Sequence, residues 1–286
     1  MGNGWHEWPL MVFTVLGQCV AGGFIVMALF LLTGVSDRAQ QKRVYWAMIV
    51  LWVLMGIGFM ASVLHLGSPL RAFNSLNRIG DSALSNEIAS GSVFFAVGGF
   101  WWLVTVLGKM PQALGKIWMI LTMILGVFFV WMMCKVYLID TVPTWYNAYT
   151  PLSFFLTMFI GGPLLGYLLL RVAGVTAWGM RILPAISLLA VVVSTAVVLL
   201  QGMDLATIHS SIAQASTLVP LYGALMSWRL LVLAVALVCW IVPQLKGGMA
   251  SPAVLAFAFV LVIAAELIGR GVFYGLHMTV GMAIAS

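Results

Sequence analysis

Residues 59–91 read FMASVLHLGSPLRAFNSLNRIGDSALSNEIASG, and this stretch decides how the rest of the chain is to be understood. It is the most polar and most charge-bearing piece of a very apolar protein, set between two long hydrophobic runs. His65 closes the first run, Glu87 opens the next, and Arg71 and Arg78 lie between them. Apolar runs of roughly 20 residues on either side of a polar connection are the pattern of membrane-spanning segments. An ionisable residue at the lip of such a segment is expensive enough to be a functional candidate.

Working outward, the sequence holds eight apolar runs, at 9–33, 44–67, 87–108, 115–138, 150–172, 182–203, 224–244 and 253–275. The chain is 63% hydrophobic and 7% charged, whereas soluble domains carry about a quarter charged residues. A soluble globular enzyme is therefore excluded. Backbone groups in lipid must be paired within the segment, so runs of this length are expected as helices. The short alternating segments of a membrane β-barrel are absent. The expected fold is an all-α integral membrane protein, an eight-transmembrane-helix bundle forming one domain over residues 1–286.

Thirteen basic residues against seven acidic ones then report topology. No basic patch interleaved with exposed aromatics points to nucleic acid. Arg38, Lys42, Arg43, Lys109, Lys116, Arg171, Arg181 and Lys246 follow the odd-numbered spans, eight in all, against Arg71, Arg78 and Lys135 on the other side. The positive-inside rule places both termini outside, on the periplasmic face of a bacterial inner membrane. The first eight residues, MGNGWHEW, lack Lys and Arg, and the run after them is too long for a signal-peptide core. The first segment is thus expected to be a true span. Cys19, Cys134 and Cys239 all lie inside apolar runs, with no spacing for a metal or a disulfide framework.

This topology gathers His6, His65, His209 and His277 on the outer half, with Glu7, Asp81, Glu87, Asp140, Asp204 and Glu266. The outer connections at 68–86 and 204–223 are long, so the outer face is the working face. Ser68-Pro69 reads as a helix start, with a short interfacial helix after it. Asn86 is expected to cap the third span, with Glu87 in its first turn, where the helix dipole favours a carboxylate. Residues 204–223 are expected to form a similar surface helix ending before Pro220.

His65, taken alone, is an ordinary anchor for a span end. With Glu87 and two arginines in the same connection it gains a chemical role. A neutral imidazole accepts a proton near pH 7, and a neighbouring carboxylate orients it or takes a second proton. That pair suits a lipid-soluble substrate that loses two protons on oxidation, a quinol. From position alone, Glu87 serves dipole complementation and proton transfer equally well. Arg71 and Arg78 either snorkel to headgroups or grip a partner's carboxylates. Glu266 and Arg270, at i and i+4, are expected to form an intramembrane structural ion pair, with Arg229 directed at Asp204 or Glu266. A transmembrane haem pair is excluded because all four histidines share one side. A single outer haem on His65 with His209 or His277 is the alternative the residues leave open.

Several motifs carry a resemblance. GNGWHEWPL at 2–10, GSPLRAFNSLNRIG at 67–80, LSNEIASG at 84–91, DTVPTWY at 140–146 and ELIGRGVFYGLHMTVGMAIAS at 266–286 resemble the membrane anchor subunit of bacterial dimethyl sulfoxide reductase. Anchors of selenate-type reductases look equally similar. The resemblance covers essentially the whole chain. It implies a three-subunit enzyme of anaerobic respiration, in which an iron–sulfur subunit and a molybdopterin catalytic subunit dock on this anchor. It further implies menaquinol oxidation at His65 and Glu87, without haem or another bound cofactor. Gly67, Arg71, Phe73, Ser75 and Arg78 would then shape the quinol pocket or meet the partner. The competing classes are a multi-span transporter and a purely structural anchor.

Overall fold

Each apolar run becomes a helix because only intrasegment hydrogen bonding satisfies the backbone in lipid. A computed structural model describes residues 3–33, 37–65, 77–209 and 214–278. Among these, eight helices are long and apolar enough to cross a membrane. A 3₁₀ turn at Asn3–Glu7 leads into α1 (Trp8–Thr33). The second span is built from α2 (Arg38–Ala47) and α3 (Ile49–His65). Then come α4 (Ala83–Val106), α5 (Gln112–Tyr137), α6 (Tyr149–Val172) and α7 (Ile182–Asp204). The one-turn α8 (Ala215–Leu218), α9 (Tyr222–Leu245) and α10 (Pro252–Gly275) complete the described part.

Two helix starts differ from the sequence expectation, for local reasons. The second span begins at Arg38 because the Asp37 carboxylate accepts the Gln40 N–H at 2.6 Å, a side-chain cap upstream of the apolar run. The third span begins at Ala83, capped by Ser82, whose hydroxyl accepts the Ser85 N–H. Asn86 is therefore not the cap. Its Oδ1 accepts the Gly80 N–H at 2.7 Å and ties down the preceding turn. Gly80 has φ +99°, a conformation a side chain would strain.

Helices α1 and α6 form the buried axis of the bundle, and each is enclosed over most of its length. They cross where Gly22 meets Gly162, and a Cβ on Gly162 would run into the Gly22 backbone. Small residues at such a crossing let the helices pack by van der Waals contact, which matters where lipid removes the hydrophobic drive. Around this axis, α3 and α5 pack on α1, with α4 against α5. On the other side α7 and α10 pack on α6, with α9 between them. The outward surfaces of the peripheral helices stay apolar, with Ile57, Met60, Ile124, Leu189, Val192 and Val260 exposed. That is the surface lipid requires.

The first and last described residues, Asn3 and Met278, lie with the backbone of His65 at the end of the bundle that holds Tyr137, Tyr149 and Asp204, because eight spans alternate in direction. Three of the motifs quoted above converge there. Gly4 sits against the Gly271 and Gly275 backbone. Trp145 donates its indole N–H to the Phe273 carbonyl at 2.8 Å and stacks on the Phe273 ring. At this end, α8 and an isolated bridge between His209 and Gln214 are the regular structure described between α7 and Pro220, in place of the longer surface helix. The expected interfacial helix after Ser68 lies outside the described residues.

Candidate functional site

The earlier start of α4 changes the role of Glu87. It stands in the second turn, on the inward stripe Glu87, Ser90, Gly91, Phe94, Gly98 and Trp101, and is 3% exposed. Dipole complementation at a first turn no longer accounts for it. One carboxyl oxygen, Oε1, has no hydrogen-bond partner among the described residues. An unpartnered buried polar atom costs about 1–3 kcal/mol, so this carboxylate is poorly explained as structural cement.

Glu87 is buried on the inward face of α4, which packs against α5. Toward the same end of the bundle stand the buried Tyr137 of α5 and Tyr274 of α10. The two tyrosine hydroxyls lie 2.6 Å apart, and either can be the donor. Beside this polar pocket, a groove open to lipid runs between α4 and α5, lined by Asn86, Ala89, Ser90, Val93, Phe128 and Met132. A second lipid-facing groove lies deeper along α4 toward α3, where Phe59 stacks on Phe95 with centroids 5.9 Å apart. Lipid-facing grooves with aromatic walls beside a buried carboxyl group suit an apolar ring substrate that arrives through the bilayer.

Across the bundle lies a second polar cluster, and here the expected ion pair is corrected. Glu266 pairs with Arg229 of α9 at 2.9 Å, not directly with Arg270. The Thr157 hydroxyl of α6 donates to the other Glu266 oxygen at 2.6 Å. Arg270 donates to Gln18 Oε1 of α1 at 2.9 Å and to Thr157 Oγ1 at 3.4 Å, and its guanidinium lies 3.7 Å over the Phe154 ring. A separation of i and i+4 puts Glu266 and Arg270 on one face, but the long Arg229 side chain from the neighbouring helix takes the carboxylate. Arg229, Glu266 and Arg270 are each 5% exposed or less. The cluster lines a cavity of about 30 Å³ together with Ser194 and Gln201. At its end of the bundle Asp204 is held by the Tyr149 hydroxyl, not by Arg229.

The remaining sequence candidates fall as follows. His65 ends α3 at the same bundle end as Glu87, and its side chain is outside the described residues. Gly67, Arg71, Phe73 and Ser75 are outside them as well. Arg78 is exposed, in the turn that leads to α4. His209 and His277 are also exposed, and the His277 ring packs 4.6 Å from that of Trp145. Among the described residues, no group of three or more His, Cys, Asp or Glu is placed to hold a metal ion. Sequence reasoning missed Gln18, Tyr137, Thr157 and Tyr274. Gln18 and Thr157 did leave a signal, as isolated polar residues deep inside apolar spans, where they are rare unless they have partners.

The eight spans, with two buried polar clusters among them, define a multi-pass membrane protein. The family model for the DMSO reductase anchor subunit (DmsC) matches residues 1–276, and the chain belongs to that family. It is 68% identical to the C subunit of the anaerobic dimethyl sulfoxide reductase of Escherichia coli K12, with both sequences fully covered. It is 58% identical to the YnfH subunit of an anaerobic dimethyl sulfoxide reductase of the same organism, again over the full length of both. The corresponding C subunit of Haemophilus influenzae Rd matches at 42% over 99% of each sequence.

Proposed function

We propose that this chain is the quinol-oxidising anchor of a three-subunit reductase in the bacterial inner membrane. It takes electrons from menaquinol and passes them to an iron–sulfur subunit. A molybdopterin subunit then uses them to reduce dimethyl sulfoxide or a related acceptor. Family membership supports the anchoring role, and the names of the relatives support the terminal acceptor. The observation that carries the quinol reading is Glu87, a buried carboxyl group with a partnerless oxygen beside a lipid-facing groove.

In this reading, menaquinol moves laterally out of the bilayer along α4, its ring against the aromatic walls. One hydroxyl proton goes to the imidazole of His65 and the other to the Glu87 carboxylate. Two electrons leave one at a time for the cluster of the iron–sulfur partner, which docks at the His65 end. Proton acceptors held in place contribute about 10²–10⁴-fold to such a step. The reading assigns no haem or other cofactor to this chain. Gly67, Arg71, Phe73, Ser75 and Arg78 close the pocket or meet the partner.

The test compares quinol-linked with dye-linked reduction in membranes carrying the intact complex. His65→Ala and Glu87→Gln are expected to lose quinol-linked turnover while dye-linked reduction continues. Unchanged quinol-linked turnover in both variants would overturn the proposal. Loss of both activities in both variants would make these residues structural, and the chain a purely structural anchor.

A further inference from the structure

We propose that the cavity walled by Arg229, Glu266 and Arg270 binds a small monovalent anion of halide size, which serves as the counter-ion of Arg270. Two guanidinium groups and one carboxylate line this cavity, and all three residues are closed in by protein. The carboxylate is fully engaged. Glu266 Oε1 accepts from the Arg229 guanidinium at 2.9 Å, and Oε2 accepts the Thr157 hydroxyl at 2.6 Å and Arg229 again at 3.3 Å.

Arg270 is left without a carboxylate. All seven acidic residues of the sequence are among the described ones, and none forms an ion pair with it. Its hydrogen bonds go to neutral oxygens, Gln18 Oε1 and Thr157 Oγ1, and its guanidinium lies over the Phe154 ring. An arginine is always protonated, and neutral oxygens and a ring face spread its charge without cancelling it. Charges inside a bundle are otherwise paired.

The donors of the cavity wall point the same way. The Nε–H groups of Arg229 and Arg270 are buried and have no partner among the described residues. Gly269 makes the first of these possible, since a Cβ there would lie 2.7 Å from Arg229 Cδ and Nε. The other polar lining groups are Ser153, Thr157, Ser194 and Gln201. Thr157 Oγ1 already accepts from Arg270, and Gln201 Oε1 accepts the Tyr222 hydroxyl. The wall thus offers two charged donors and few free acceptors. Water brings two donors of its own, whereas an anion only accepts. A water needs roughly 10–15 Å³, so about 30 Å³ suits one small ion and is too small for phosphate or an organic acid. Gln201 lies one turn from the end of α7 and Leu276 just past the end of α10, so the ion enters from the end of the bundle that holds Asp204. Once bound, it joins α6, α7, α9 and α10, and a ligand of the folded state alone stabilises that state by mass action.

The experiment unfolds the full chain in mixed micelles, in sodium chloride or in sodium gluconate at equal ionic strength. Chloride is expected to raise the melting midpoint by about 2–4 °C at ten times its dissociation constant. Gluconate, too large for the cavity, is not. Arg270→Gln, which removes the unpaired charge, is expected to abolish the chloride increment. So is Ser194→Val, which narrows the cavity and leaves every charge in place. Crystals soaked in bromide are expected to show anomalous scattering within hydrogen-bond reach of Arg229 and Arg270. Equal wild-type midpoints in the two salts would overturn the proposal, because water alone then occupies the cavity. A chloride increment retained by whichever variant folds would overturn it too, by placing the ion elsewhere. If neither variant folds, the bromide signal decides, and its absence from the cavity counts against the site.

Discussion

Removing Arg229 should be the most damaging single truncation in the second polar cluster. The Arg229 and Glu266 side chains are 6% and 3% exposed and lie 2.9 Å apart. Arg229→Ala leaves a carboxylate in the bundle interior with the Thr157 hydroxyl as its remaining close donor. Breaking a buried pair from one side costs about 3–5 kcal/mol. The retained Thr157 bond puts the expectation near the lower end, about 3 kcal/mol, or on the order of a hundredfold in the folding equilibrium. Unfolding in mixed micelles by a denaturing detergent measures it. A double-mutant cycle then separates the pair from the packing. Arg229→Ala with Glu266→Ala should show a coupling of about 2–3 kcal/mol, and Arg270→Ala with Glu266→Ala less than about 1 kcal/mol. The second value is small because Thr157 stands between the two groups. A larger coupling for Arg270 than for Arg229 would refute this arrangement and restore the pairing that i and i+4 spacing suggests.

Three further outcomes are expected. Gly162→Ala should cost about 1–3 kcal/mol in the same unfolding assay, because the new Cβ meets the Gly22 backbone, which cannot rotate away. Gly99→Ala, with nothing near its Cβ, should be neutral or stabilising by comparison. Ser82→Ala should cost about 1 kcal/mol as the loss of a helix cap, with slower quinol-linked turnover as the start of α4 frays near Glu87. A loss of turnover confined to Asn86→Ala would place the cap where the sequence suggested. Gln18→Leu should destabilise by about 1–3 kcal/mol, since it strips Arg270 of its shortest hydrogen bond while Arg270 stays buried.

Much of this protein is legible in one dimension. Hydropathy alone sets class and span number, because the cost of unpaired backbone in lipid admits only helices for runs of this length. The starts of the second and third spans were less legible. Asp37 and Ser82 cap their helices upstream of the apolar runs, and an apolar run marks where lipid begins, not where the helix does. Glu87 was visible as an acid at the head of the third span. Its meaning changed once α4 was seen to start a turn earlier and to turn that side chain inward.

What the sequence determined by itself is therefore the medium, the helices and the family, each of which depends on local composition or on long collinear motifs. The tertiary structure decided which polar groups meet. Arg229 reaches Glu266 from another helix, Tyr137 and Tyr274 meet across 137 positions, and Gln18 meets Arg270 across 252. These partners are set by the close crossing of α1 and α6 and by the rotation of each helix about its own axis. In a segment apolar on nearly every side, the sequence carries little record of that rotation. It is fixed by packing small residues against small ones and by the need of each buried polar group for a partner.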